Sequence, residues 1–82
     1  MKRERVASVV RRHLANVVGD LKTSDIDMSR SMRDFGATSL DIVEVVTLTM
    51  RELKVKVPRA ELGRLTNMDG LVDLLCASME AK

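Results

Sequence analysis

Residues 34–54 read DFGATSLDIVEVVTLTMRELK, and they change character at Ser39. Before that serine the stretch is rich in turn formers; after it, apolar residues recur with helical spacing. At 100° per residue, one arc should face a core. It holds Ile42, Val45, Val46, Thr49 and Leu53. The stretch therefore predicts an amphipathic helix over about residues 39–54, with a loop leading into it.

A second arc of this helix is part apolar and part charged, so it is not predicted to be core. We call it the mixed arc. Its members are Leu40, Val43, Glu44, Thr47, Met50 and Arg51. Ser39 itself is a good N-cap or first-turn residue, and acidic Asp41 suits the positive end of the helix dipole.

The segments on either side predict further helices. Valines and leucines between Val6 and Leu21 follow helical spacing and predict a helix over about 3–18, ended by Gly19. Pro58 favours a short helix at about 59–64, and Thr66 or Asn67 can cap a last helix at about 67–79.

Residues 20–38 show no sustained period, yet apolar residues are scattered among the turn formers. We expect a long ordered loop packed on the core, in which a turn of helix is possible around Ser29–Arg33. Val55-Lys56-Val57 alternates, but without a partner strand it cannot make a sheet. Residues 1–82 are thus expected to form a single all-α domain, a four-helix bundle with three main helices and one short one.

Composition excludes several classes of function. The net charge is only +2 and the one aromatic is Phe35, which argues against nucleic-acid binding. One cysteine (Cys76) and one histidine (His13, expected to be solvated) do not make a zinc site, and no metal is expected. No run approaches the roughly 20 apolar residues of a membrane span, so we expect no membrane contact. The lack of a disulfide is consistent with a reducing cytosol, and we expect a cytoplasmic monomer.

Ser39 is the candidate for chemistry. Free N–H groups at a helix start favour a phosphate, so a phosphodiester on Ser39 would be well placed. From this position alone, however, a plain helix cap is the favoured interpretation. A catalytic role is not expected, because Leu40 replaces the second glycine of a nucleophile elbow and only His13 could act as its base. We expect no enzyme but a protein whose serine is modified by one.

The segment from Phe35 to Leu75 resembles acyl carrier proteins of fatty-acid and polyketide synthesis. The family pattern Gly-x-Asp-Ser-Leu-Asp is similar to residues 36–41, its hydrophobic-acidic-Ile-Pro segment to 53–58, and its Leu-Thr-x-Met block to 65–68. Each motif alone is weak, but the three together at ungapped spacing are fairly specific.

The resemblance implies a function. Ser39 would carry 4′-phosphopantetheine, added from coenzyme A by a phosphopantetheinyl transferase, and its thiol would hold acyl groups as thioesters. Asp41 matches the family aspartate that helps the transferase bind Mg²⁺. The mixed arc matches the strip of the second helix that faces partners such as ketosynthases and acyltransferases.

Two departures from the family stand out. Thr38 replaces the usual aspartate before the serine, and the second and third helices carry basic residues where fatty-acid carriers are acidic. The basic residues favour a dedicated carrier of a polyketide-type or related pathway over a housekeeping one. A peptidyl or aminoacyl carrier is an open alternative, and a small helical DNA-binding domain is a weaker one because residues 39–54 lack the charge of a recognition helix.

Overall fold

A computed structural model describes residues 2–58 and 67–80. Within these ranges the chain forms three α-helices and no strand. Helix α1 spans Lys2–Val18, α2 spans Ser39–Leu53 and α3 spans Met68–Glu80. The all-α class is confirmed, and each predicted main helix agrees to within a residue at either end. The short helix predicted over 59–64 lies outside the described residues, so the four-helix bundle is not confirmed.

The core is built from one face of each helix. The buried apolar residues of the three helices are Val6, Val9, Val10, Leu14, Val45, Val46, Met68, Leu71, Val72 and Leu75. Thr49 is also fully buried, and its hydroxyl donates to the carbonyl of Val45 at 2.7 Å, which satisfies the polar group. The core arc predicted for α2 is therefore confirmed, although Ile42 and Leu53 are only half-buried.

The segment between α1 and α2 contributes side chains to the core. It buries Ile26, Met28 and Met32. Its backbone also bonds to the start of α3, because the carbonyls of Met28 and Arg30 accept the N–H groups of Asp69 and Met68 at 2.8 and 3.0 Å. These N–H groups have no partner within their own helix, so the loop both stabilises α3 and is held in place by it.

The turn of helix in this loop lies a few residues later than predicted, at Met32–Phe35. Ser31 and Asp34 form a reciprocal capping box around it, in which each side chain accepts the backbone N–H of the other. A shorter 3₁₀ turn spans Thr23–Asp25. The position of the turn is set by the burial of Met32 and by the local cap. Neither feature repeats along the chain, so the spacing of apolar residues could not predict the position.

His13 was expected to be solvated, and this prediction is wrong. Its side chain is only 15% exposed, and Nε2 lies 3.0 Å from Oε1 of Glu52 on α2. Arg12 also pairs with Glu52. The hydrogen bond from Arg12 is the main cause that holds the pKa of the Glu52 carboxyl below its usual value; burial opposes it, and the hydrogen bond from His13 adds a smaller lowering. Packing of α1 on α2 brings these groups together.

Candidate functional site

Ser39 is the first residue of α2, and its side chain is exposed. Its hydroxyl does not cap the helix, because Thr38 does. The N–H of Asp41 donates to Thr38 Oγ1 at 3.2 Å, and the N–H of Thr38 donates to Asp41 Oδ2 at 2.9 Å. This is a complete capping box, so the interpretation of Ser39 as a helix cap is wrong. The extended backbone of Thr38 puts its own hydroxyl over the third N–H of the helix, which leaves Ser39 Oγ available.

The Ser39 hydroxyl has a basic partner instead. Arg33 Nη2 donates a hydrogen bond to Ser39 Oγ at 2.9 Å. The surrounding segment, residues 20–44, is acidic overall, with six acidic and three basic side chains. A cation beside Ser39 was therefore not predicted from the sequence. No periodic signal could have revealed it, because the six-residue separation spans a loop.

A tight turn at Gly36 brings Arg33 and Ser39 together. Gly36 has φ +93°, a left-handed conformation that side chains disfavour. Its N–H bonds to the carbonyl of Arg33 at 3.1 Å, and the next N–H, of Ala37, bonds to the carbonyl of Met32 at 3.3 Å. Ala37 is buried. The chain consequently turns between the 3₁₀ helix and α2.

Asp41 is half-buried in the first turn of α2. Only its Oδ2 has a hydrogen-bond partner in the part of the chain that the structure describes. The same carboxylate can therefore stabilise the helix start through one oxygen while the other oxygen is not used by the cap. The described residues contain no cluster of His, Cys, Asp or Glu suited to a metal ion.

The mixed arc lies at the surface along α2. Leu40 is 82% exposed and Val43 is 53% exposed, although both are large apolar side chains. Glu44 and Arg51 are exposed, while Thr47 and Met50 are half-buried. The apolar residues lie next to Ser39, and the basic residue lies at the far end of the helix.

An open cleft of about 620 Å³ lies at that far end. Met50, Val55, Thr47 and Ser78 contribute its lining, together with the basic residues Arg51, Lys54 and Lys56. Met50 is about 16 Å along the helix axis from Ser39, at about 1.5 Å per residue. The surface therefore changes from apolar near Ser39 to apolar with a basic rim near the end of α2.

Comparison with known proteins assigns the class. Residues 8–75 match the family described as the phosphopantetheine attachment site, and the chain belongs to this family. The protein is therefore a carrier that holds covalent 4′-phosphopantetheine and not an enzyme. Membership of this family implies that the chain interacts with a phosphopantetheinyl transferase and with acyl-handling enzymes.

Among individual proteins, the chain is similar to the polyketide biosynthesis acyl-carrier-protein AcpK of Bacillus subtilis, strain 168. The two are 27% identical over 75 residues, which is 92% of each chain. No solved structure matches significantly. These comparisons do not favour the peptidyl-carrier or DNA-binding alternatives. None of the described helices is both long and apolar enough to cross a membrane.

The residues at the start of α2 fit a phosphodiester. The exposed Ser39 hydroxyl would supply the ester oxygen, and the Arg33 guanidinium already donates to that hydroxyl. The first N–H groups of α2 add a positive partial charge nearby. These are the donor types that bind phosphate oxygens in proteins.

Proposed function

We propose that Ser39 carries the phosphopantetheine arm, and that the chain holds acyl groups as thioesters on it for enzymes of a polyketide-type pathway. One observation carries the proposal: an exposed serine hydroxyl at the start of α2 that is not used as a cap. The similarity to a polyketide carrier over most of the chain supports the choice of pathway.

The reacting group that this chain supplies for attachment is a nucleophilic hydroxyl. Ser39 Oγ attacks the phosphorus next to pantetheine in coenzyme A and forms one P–O bond. The P–O bond to 3′,5′-ADP breaks, and the serine proton passes to the transferase. Asp41 would contact the transferase-bound Mg²⁺ through the carboxylate oxygen that the cap does not use. Thr38 keeps the helix capped although it replaces the family aspartate.

Intact-mass measurement tests the attachment. The protein is incubated with coenzyme A and a broad-specificity phosphopantetheinyl transferase and then weighed. We expect one phosphopantetheine on the native chain and on Ser24→Ala, a control at another exposed serine, and none on Ser39→Ala. An unmodified native chain, beside a fully modified reference carrier, would refute the proposal.

A second variant tests Asp41 without breaking the cap. Asp41→Asn retains a carbonyl oxygen that can accept the Thr38 N–H, but it lacks the charge that attracts Mg²⁺. We expect its stability to stay near native and its modification to need more Mg²⁺. Equal Mg²⁺ dependence of the two chains would assign Asp41 to the cap alone.

The mixed arc is proposed as the docking surface for partner enzymes. Leu40 and Val43 offer apolar contacts next to the arm, and Glu44, Thr47, Met50 and Arg51 continue the surface along α2. Leu40→Ala should slow acyl transfer because it removes an apolar contact with the partner enzyme. It should leave the fold intact because exposed apolar side chains contribute little to folding. A variant with native transfer rates would exclude Leu40 from docking.

The basic residues at the end of this surface should select partners. Arg51 and Lys56 are exposed beside the cleft and would repel enzymes whose docking sites are themselves basic. We expect a housekeeping ketosynthase to elongate the chain poorly and Arg51→Glu/Lys56→Glu to improve elongation. Lys22→Glu/Arg30→Glu, at two exposed basic residues of the α1–α2 loop, makes the same change in net charge and serves as the control. Native elongation as fast as that of an acidic carrier would contradict a dedicated pathway.

We further propose that residues 1–82 act as one cytoplasmic domain and as a monomer. We expect its exposed apolar side chains to contact partner enzymes rather than a second copy of the chain. Sedimentation equilibrium tests the oligomeric state, and a concentration-dependent dimer would contradict the proposed monomer.

A further inference from the structure

We propose that Arg33 is a positioning residue for the base of the arm: its guanidinium, which donates to Ser39 Oγ, holds the phosphodiester once Ser39 is modified. The inference rests on the proposed attachment at Ser39. It goes beyond attachment because it assigns a role to a loop residue that no motif in the sequence marks.

The contact itself is the main argument. Arg33 Nη2 is 2.9 Å from the oxygen that would become the phosphate ester. The phosphorus would be bonded directly to that oxygen, so a guanidinium that reaches Ser39 Oγ can also reach the other phosphate oxygens. Arginine has five N–H donors in a planar fork, which suits the recognition of phosphate. A charged acceptor makes a stronger hydrogen bond than the neutral hydroxyl does.

The backbone at Arg33 is held in place before any group is attached. The preceding residue, Met32, is buried in the core, and the carbonyl of Arg33 accepts the N–H of Gly36. The Ser31–Asp34 capping box closes around the same turn. Little backbone freedom is therefore lost when the guanidinium binds a new acceptor.

The local charge makes this role useful. Attachment adds a negative charge to a segment that already holds six acidic and three basic side chains. Repulsion would push the base of the arm away from the loop, and Arg33 offsets it. The arm should therefore leave Ser39 with its base held on the loop side of α2.

A thermodynamic cycle between the modification and Arg33 tests the role. Apo and holo forms, the latter with a free thiol, are prepared for the native chain, Arg33→Gln and Arg30→Gln. Arg30 is a matched control because it is an exposed arginine in the same loop that does not contact Ser39. The ratio of holo to apo unfolding constants is measured in urea at about 0.02 M and about 0.5 M salt. Because each ratio compares one chain with itself, any general loss of stability cancels.

We expect attachment to stabilise the native chain about 2- to 5-fold more than Arg33→Gln at low salt, the range for an exposed charge pair. The difference should shrink at high salt, and Arg30→Gln should resemble the native chain. The ³¹P resonance of the holo protein gives an independent readout. It should move in Arg33→Gln and stay in place in Arg30→Gln.

The outcomes separate the two proposals. If intact mass shows no modification of the native chain, the proposed function fails and the role of Arg33 fails with it. If modification is complete, but both variants give the native ratio and the native ³¹P shift, the role of Arg33 alone is overturned. The same is true if Arg30→Gln changes both readouts as much as Arg33→Gln does.

Discussion

Replacing Thr38 with alanine should destabilise the protein by about 1 kcal/mol, the central value for loss of an N-cap side chain. The structure supports this value over the upper end of the range, about 2 kcal/mol, because the site is exposed. The Asp41 N–H loses its bond to Thr38 Oγ1, but water can reach it. The reciprocal bond from the Thr38 N–H to Asp41 can persist in the variant, since it uses only the backbone of residue 38.

Urea unfolding followed by circular dichroism at the helical band measures this loss. The chain lacks tryptophan and tyrosine, so intrinsic fluorescence is not a suitable probe. The urea midpoint should fall with an unchanged slope, and Tm should fall by about 4–8 °C for a domain of this size.

Two further variants test the capping argument. Thr38→Asp restores the family residue and an equally good cap, so its stability should lie within about 0.5 kcal/mol of native. Thr38→Ala/Asp41→Ala removes both hydrogen bonds of the box and should lose more stability than either single variant. A native urea midpoint for Thr38→Ala, or a loss of stability in Thr38→Asp as large as that in Thr38→Ala, would refute the role of the Thr38 side chain as the cap.

Gly36→Ala should cost about 1–2 kcal/mol in urea unfolding, because its φ of +93° disfavours a side chain although no atom lies within 4 Å of the added carbon; a native midpoint would contradict this. The Glu52 carboxyl has a lowered pKa in the fold, so its contribution to stability is present above its ordinary pKa of 4.5 and is lost as the pH falls through the lower folded value. Glu52→Gln should therefore flatten the loss of stability below about pH 4.5. Glu44→Gln, on the same helix but without that ion pair, should retain the loss. Equal slopes of stability against pH for the two variants would rule out the ion pair as the cause. Leu14→Ala should cost about 2–5 kcal/mol because the side chain is fully buried, whereas Leu40→Ala should change stability by less than about 0.5 kcal/mol; similar losses would contradict the assigned burial.

Helical periodicity predicted the parts of the fold that repeat. The spacing of Val45, Val46 and Thr49 indicated which face of α2 is buried, and the structure agrees. The prediction of this face succeeds because an α-helix repeats one backbone conformation, so spacing along the chain converts directly into a face. Gly19, predicted to end α1, adopts a positive φ there, which glycine does without steric cost.

Predictions failed where contacts cross between elements. His13 was expected in solvent because its sequence neighbours are arginines, yet α2 covers it and Glu52 lies beside it. The turn in the loop lies at Met32–Phe35 because of a buried side chain and a local cap. Neither feature has a period, and each depends on what the rest of the chain packs against it.

The sequence by itself determined that the chain is helical, that α2 has a buried and a mixed arc, and that a serine stands at its start in the motif of a carrier family. That Thr38 rather than Ser39 caps α2 follows from the local spacing Thr38-x-x-Asp41 of a capping box, which was overlooked in the sequence. Only the tertiary structure decided that Arg33 donates to Ser39 Oγ. The reason is physical: helical faces follow from a repeated local conformation, whereas the separation of Arg33 and Ser39 depends on the unrepeated torsion angles of the loop and on the core that holds it.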